Sequence, residues 1–540
     1  MAKWILNSSR AQKALSRGTS ILRSAVAPTL GPIGRTVLMD RRWAGTSVVS
    51  DGFTINRELE LWDPFADMAI RFLEDASEKV RSACGDGTTT TVLLAEALIR
   101  ACQPLLASGA DPMALSRALA RGAALAVDEL RDMSCPVADA GQLAAVASLA
   151  AKDAELGRVV GELVWDLGAD GAFLALESQG RTVEHEVIEG FRFDRGAISP
   201  AFLTDPVKVE AVLENPYLLL TAEKLERVDD ILPALERILP EAHTLVVVAQ
   251  DVTGEALAGL AMNKERGNLE VLAVKAPGLG GRMEEQLEEL AAATGATVLP
   301  NYETGRTLAG ITIEDLGRAD RVVANRQMTT VFGGRADPKR VAERMAILRN
   351  GAAEAQTDKY RRELTERIGA ILGKTAVLKV GGLSQLEVKE KVVRVRNAVA
   401  AAQAALRGGL LPGGGAALAR VGLAVGSAPA ADDLTRIGFR AVQRALEAPL
   451  LSLARNAGEH GPLVLAAVRQ APAGSTYDAL TGQVGPASES GILDPMEMVV
   501  AALQRSVSVA AALLTVDTVI VSPPEPGVAD ERPDVSARYE

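Results

Sequence analysis

The sequence predicts a multidomain chain of α and α/β type, in which an α/β segment is inserted into a mainly helical host. Three observations point there. The chain has 540 residues, enough for three or four domains at about 150 residues each. Apolar residues recur at helical spacing near both ends. Between Tyr217 and Leu299, strand-like and helix-like runs alternate.

The first part reads mainly as helix. Ala66 to Arg81, Thr88 to Ala107 and Pro112 to Arg131 carry apolar residues at i, i+3, i+4. Asp111 before Pro112 is an N-cap followed by Pro at the first helical position. A short β element precedes them, with Thr36 to Asp40 and Ser47 to Ser50 flanking a turn region. The pattern changes near residue 170, and Thr182 to Ile188 is strand-like.

The α/β segment runs from about residue 190 to 370. Strands are expected at 217–220, 244–248 and 269–274, and helices at 231–239, 254–266 and 282–294. Such alternation favours an at least partly parallel sheet. Asp337 to Leu372 is charged and helical, and Leu386 to Leu406 is a further helix. After a Gly-rich break at 408–415, helices resume to about Val516. Ser522 to Glu540 has several Pro, mixed charge and no periodicity, the composition of a disordered tail.

Composition narrows the function classes. Aromatics are only 3% and Ala is abundant, which suits closely packed helices of small residues. A formal net charge of −11 disfavours a dedicated nucleic-acid binder, which needs a basic face. Cys84, Cys102 and Cys135 form no C-x-x-C pair, and His185, His243 and His460 are scattered. That spacing argues against a structural zinc site or a disulfide framework. The N-terminal run lacks the apolar core of a signal peptide. Val507 to Val521 is interrupted by Asp517 and falls short of a membrane span. The expectation is a soluble, cytoplasmic protein without membrane or nucleic-acid partners.

Several Gly clusters are candidate phosphate sites. Gly85-Asp86-Gly87-Thr88-Thr89-Thr90 opens a helix, where backbone N–H groups attract phosphate and glycines permit close approach. Asp86 is a hard oxygen ligand suited to Mg2+ carrying a nucleotide. Thr29 to Pro32, Asp51-Gly52 and Gly413 to Gly415 are further turns. Each alone is weak, since most Gly clusters are only loops; together they could wall one nucleotide pocket. Gly369 to Thr375 imitates a P-loop, but only three residues separate its glycines where four are required. Gly373 reads better as a helix C-cap before a strand.

Seven motifs then occur in order: TLGP at 29–32, SDG at 50–52, GDGTTT at 85–90, FDRG at 193–196, VKAPG at 274–278, PGGG at 412–415 and GILDP at 491–495. As a set they are highly specific. The chain resembles the group I chaperonins, the bacterial GroEL family, up to about residue 522. The resemblance implies a GroEL-like three-domain subunit. A helical equatorial ATP-binding domain would span 1–133 and 408–522. A hinge-like intermediate domain would span 134–189 and 374–407, and an α/β apical domain 190–373. It also implies homo-oligomeric sevenfold rings, one or two, a co-chaperonin of GroES type, unfolded protein clients, ATP and Mg2+, with K+ as a candidate second cation.

Carried over by position, Thr29, Leu30, Gly31 and Pro32 resemble the phosphate-side loop. Asp86 resembles the Mg2+ ligand, and Gly87, Thr88, Thr89 and Thr90 the phosphate cradle. Gly414 resembles a ribose contact, and Asp494 the ribose-hydroxyl acceptor. Asp478, Ala479 and Leu480 fall at the adenine side. Client contacts would come from Leu232, Leu235, Leu257, Ala261 and Met262 on two helices, and from Phe202.

The sequence also departs from the family. The Asp that positions the attacking water is here Asn397, and an amide cannot accept a proton as a general base. It can still orient water. Asp51 is retained as the second acidic group and could substitute, so slowed hydrolysis is expected. Ser50 stands where the family usually has Lys, and Ile33 replaces another Lys. Ala197 and Ala201 stand where the family usually has Tyr, which predicts weaker or narrower client binding. These changes leave two readings: a specialised ATP-dependent ring chaperonin, or a ring scaffold that binds ATP with little or no turnover.

Overall fold

Helices in this chain often begin where an Asp meets a Pro. Asp63 accepts the backbone N–H groups of Phe65 and Ala66 ahead of the helix Pro64–Cys84. Asp111 does the same for Met113 and Ala114 ahead of Pro112–Met133. The carboxylate satisfies amides that have no helical partner, and Pro has no amide to satisfy. The computed structural model describes residues 3–41, 45–49, 51–204, 210–240, 243–278, 280–301, 305–355 and 357–522. Ser50 and the expected tail beyond Ser522 lie outside the described residues.

The chain divides into two compact units, Met1–Ala169 with Val393–Glu540, and Asp170–Val392. The first is helical. Ser8–Val26, Pro64–Cys84, Thr88–Ala107, Pro112–Met133, Asp433–Asn456 and Met496–Thr515 pack around one apolar core that includes Leu22, Ile70, Leu94, Leu119, Leu446 and Leu503. The Ala- and Gly-rich composition is used at the crossings. A β-carbon on Gly18 would come within 2.1 Å of the Ala66 carbonyl oxygen, and one on Gly438 within 2.5 Å of Ala118. Small residues therefore let these helices approach until backbones touch.

The two ends of the chain close this unit. Trp4–Asn7 pairs antiparallel with Thr518–Val521, with Trp4 opposite Val521. The Gln12 amide donates to the carbonyls of Leu513 and Val516 at the end of the last helix. Val37–Arg41 and Gly45–Val49 form the expected hairpin. Two helices, Thr88–Ala107 and Met496–Thr515, are long and apolar enough to cross a membrane by length and composition. The stretch around Val507 therefore reaches a length that the Asp517 interruption seemed to deny it. Both helices pack against each other within the core.

The second unit is α/β. Glu270–Lys275, Thr244–Ala249, Tyr217–Thr221 and Val298–Leu299 lie side by side in that order, all parallel. Gly317–Arg318 adds to Tyr217–Thr221 antiparallel. The strands are apolar on both faces, as a sheet covered by helices requires. Val228–Ile238, Gly254–Glu265 and Gly281–Thr294 are the connecting helices. An antiparallel sheet of Phe191–Phe193, Thr329–Phe332, Arg321–Ala324 and Ala211–Glu214 joins the same core. Lys374–Val380 pairs with Ala172–Glu177 and Val183–Glu189 in a third sheet.

The charged run expected as one helix is two, Pro338–Glu354 and Asp358–Leu372. Thr357 starts the second by accepting the amide of Tyr360, so the chain turns between them. Gly373 ends it in the left-handed conformation with φ 69°, and the strand follows at once. That order is helix, cap, strand, the reverse of a phosphate loop. Arg367 is buried against Glu289 and also meets Glu285 at 2.9 Å.

Candidate functional site

Two left-handed glycines build the turn between Pro64–Cys84 and Thr88–Ala107. Gly85 has φ 74° and Gly87 φ 99°. A β-carbon on Gly87 would press on Met498 Sδ and Val80 at 2.9 Å. The turn thus presents bare backbone at the start of a 20-residue helix, where unpaired amides favour an anion. Thr88 is buried, and its hydroxyl has no hydrogen-bond partner. Buried hydroxyls are normally paired, so this one is open to a polar ligand or a water. Thr89 and Thr90 are half-buried beside it.

The other glycine turns reach the same helix start. A β-carbon on Gly52 would come within 2.2 Å of Thr89 Oγ1 and 3.6 Å of Thr29 Oγ1, so three sequence-distant segments meet there. Asp51 caps the helix Gly52–Glu58 by accepting the Thr54 amide at 2.9 Å. The Thr29 hydroxyl donates to the Val26 carbonyl at 2.8 Å. Asn456 ties the loop down, its amide donating to the carbonyls of Ala27 and Leu30 at 2.8 and 2.9 Å. Gly31, at φ 86°, is closed in by Leu453. Pro32 and Ile33 are exposed at the rim.

Leu410–Pro412 pairs with Leu493–Pro495, which sets Leu411 opposite Asp494. The Gly414 amide donates to the Asp494 carboxylate. The Thr476 hydroxyl donates to the Gly413 carbonyl at 2.8 Å, joining the strand Ser475–Asp478 to the same turn. Asp478 is committed to its own turn, accepting the Leu480 amide and the Thr481 hydroxyl. Ala479 is buried and Leu480 is exposed. A narrow crevice lined by Thr90, Pro412, Gly415, Asp494 and Met498 runs between these pieces.

Two acids near this hollow are raised above their ordinary values. Water reaches Asp86, but protein crowds it closely enough that desolvation raises its carboxyl above the ordinary value. The Gly87 amide donates to it at 2.7 Å and opposes that rise. Asp494 is pushed up to about 7, first by burial and then by the charge of Asp86.

Asn397 lies on the helix Gln385–Gly408, and its backbone carbonyl is pressed against Gly85. Its side-chain oxygen accepts a long hydrogen bond, 3.4 Å, from Arg81 Nη1. The Arg81 guanidinium lies over the Phe53 ring at 3.4 Å from its centroid. Glu78 on the same helix acts on its charge first, and Asp51 and Asp86 are near enough to add to it.

In the second unit, the expected client residues separate into two kinds. Leu232 and Met262 are exposed at 41% and 48%. Leu257 and Ala261 are half-buried and pack on the core. Phe202 and Leu235 belong to the core itself, at 0% and 6% exposure, so their place as open client contacts is corrected. Leu235 falls on the inner face of a helix that Leu232, three residues away, does not share. Ala197 is half-buried in a β-bridge to Val274, and Ala201 is exposed.

Thr29, Gly52, Thr88, Thr89, Gly414 and Asp494 are thus drawn into one neighbourhood in the first unit, with Asp86 and Asn397 beside them. Sequence reasoning missed Asn456, Leu453, Thr476 and Arg81. Leu453 and Asn456 lie in the last turn of the long helix Asp433–Asn456, where nothing in the pattern marks them. Arg81 was visible only as the last residue of a helix.

A helical unit made from both chain ends, an α/β unit inserted between them, and a glycine- and threonine-lined hollow define a chaperonin-type subunit. A model of the TCP-1/cpn60 chaperonin family matches residues 22–524, and the chain belongs to that family. Its members are protein-folding chaperones, generally ATPases, that work as oligomeric rings on client proteins.

Proposed function

We propose that this chain is a specialised ATP-dependent ring chaperonin of group I type, with slowed hydrolysis, that helps proteins fold together with a co-chaperonin. The observation that carries this reading is the buried, partnerless Thr88 hydroxyl at a helix start, next to Thr89, where the 29–32 and 51–52 segments meet. These residues fit a magnesium nucleotide. Among the described residues, no group of three His, Cys, Asp or Glu converges as a metal cluster. A Mg2+ here would rest on Asp86 and on the phosphates it accompanies, which is how Mg2+ is commonly held. It would supply charge neutralisation at the phosphates.

The chain's own residues have distinct tasks in this reading. Thr29 to Pro32 and Gly87 to Thr90 bind phosphate through amides and hydroxyls. Gly414 and Asp494 hold the ribose, and Asp478 to Leu480 border the adenine. Asn397 orients water without taking its proton. Asp51 is the remaining carboxylate for that proton, with K+ as a candidate second cation near the phosphates. Leu232 and Met262 offer apolar surface to clients, and sevenfold homo-oligomeric rings in the cytoplasm complete the proposal.

A second reading, an ATP-binding ring scaffold without useful turnover, is favoured by one contact. The Asn397 carbonyl, the only acceptor on that side chain, is engaged by Arg81. Steady-state ATPase with Mg2+ and K+ separates the two, measured on the unmodified chain and on Asn397→Asp. Slow but measurable turnover in the first, rising in the second, supports the chaperonin reading. No turnover in the first with recovery in the second supports the scaffold. Robust turnover in the unmodified chain overturns the expectation of slow hydrolysis.

A further inference from the structure

Arg81 is a cation that no carboxylate among the described residues grips directly. It is half-buried in the last turn of Pro64–Cys84, and among the described residues it makes no ion pair. Its Nε is buried with no hydrogen-bond partner. The Phe53 ring beneath it and the Asn397 oxygen beside it fix where the guanidinium lies. Burying a charge is costly unless something pairs with it. Glu78, three residues back on the same helix, acts on its charge most, then Asp51 and Asp86, but none of the three forms an ion pair with it among the described residues.

The contact also fixes the orientation of Asn397. A guanidinium has only donors, so the amide must turn its carbonyl oxygen towards Arg81. Its NH2 group is then left over, with no side-chain hydrogen bond among the described residues. Two donors, one of them charged, therefore sit together beside the Gly85–Gly87 turn, where amides already favour an anion.

We propose that Arg81 and Asn397 together recognise the terminal phosphate of a nucleoside triphosphate. Arg81 supplies a positive charge beside the Gly85–Gly87 turn. The pair makes the pocket prefer triphosphate to diphosphate, because only the triphosphate carries the extra anionic group. A charged planar donor suits phosphate oxygens well. The alternative is that Arg81 merely packs on Phe53 and favours the helix end, where a cation meets the negative pole of the dipole. The inference rests on the nucleotide reading given above.

The test is calorimetric titration of the full chain with Mg2+-AMP-PNP and, separately, Mg2+-ADP. The unmodified chain binds AMP-PNP more tightly than ADP. Arg81→Gln weakens AMP-PNP about 10- to 100-fold, the range of a hydrogen bond to a charged group, and moves ADP less than about threefold. Arg81→Lys, which keeps the charge, restores part of the loss. Equal weakening of both nucleotides assigns Arg81 a packing role and overturns the proposal, as does unchanged AMP-PNP binding. If the unmodified chain binds neither nucleotide, the nucleotide reading itself fails, and this inference falls with it.

Discussion

The backbone carbonyl of Asn397 stands so close to Gly85 that a β-carbon on Gly85 would come within 2.0 Å of it. No side chain fits between them. The helix that carries Asn397 therefore rests directly on the turn that starts Thr88–Ala107, and the glycine is what permits it. The same residue is in the left-handed conformation, φ 74°, so both space and backbone exclude a substitution.

Gly85→Ala should accordingly be costly. The left-handed strain is about 1–2 kcal/mol, and the displaced carbonyl adds to it. A loss of roughly 2–4 kcal/mol is expected, read as a fall in the urea midpoint at unchanged slope. Gly109 is the control: it has φ 90° but nothing within 4 Å of a built β-carbon. Gly109→Ala should lose only the strain. Equal losses at the two positions would show that the approach of Asn397 contributes nothing.

Asn397→Asp should raise ATP turnover, by up to the roughly 10²–10⁴-fold of a general base. The neighbouring guanidinium limits the gain, because a carboxylate paired with Arg is a weaker base. The double variant Asn397→Asp, Arg81→Gln should therefore exceed the single variant in kcat at saturating ATP. Stopped assays of released phosphate would decide it. A double variant slower than the single one would contradict the pairing.

Asp494 links the hollow to pH. Its carboxyl is raised from 3.8 to about 7, so between those values the folded chain holds a proton that the unfolded chain has released. Stability of the ligand-free chain should then fall as pH rises through this window and level off above it. Asp494→Asn removes the charge and should flatten the profile. The gain over the unmodified chain at pH 8 should be on the order of 1–3 kcal/mol, with little difference at pH 4. Urea midpoints from pH 4 to 8 measure it, and parallel profiles would exclude the effect.

Phe202 and Met262 should behave in opposite ways. Phe202 is fully buried, so Phe202→Ala should cost about 3–5 kcal/mol through lost packing. Met262 is 48% exposed, so Met262→Ser should change stability by less than about 0.5 kcal/mol while lowering capture of an unfolded client. A light-scattering assay of aggregation suppression, beside urea unfolding, reads both. Loss of capture without loss of stability in Phe202→Ala would restore it to the client surface.

The legible parts of the sequence were those where one residue type has one physical use. Asp before Pro starts a helix, and Gly373 ends one; both stand where the pattern put them. The strands at 217–221, 244–249 and 270–275 were readable as apolar runs between helices. The glycine turns could be named but not brought together, because their meeting depends on how helices cross. Leu453 meets both the Gly31 and the Gly414 turns, and Asn456 ties down the 27–30 loop, from the last turn of Asp433–Asn456, and helical periodicity cannot distinguish such residues from their neighbours. Leu232 and Leu235 looked alike for a similar reason: three residues apart share a face only approximately, and the core takes one and leaves the other.

Trp4 pairs with Val521, and this has a consequence in time. A ribosome adds about 5–20 residues per second. The first strand therefore waits roughly half a minute to nearly two minutes before its partner exists. Once residue 392 has been added, late in that interval, the inserted unit, Asp170–Val392, is complete in sequence, while the helical unit still lacks its last helix and its closing strand. The birth order is thus inside first, outside last. A chain from a family that shelters unfinished proteins spends its own synthesis with its helical unit unfinished.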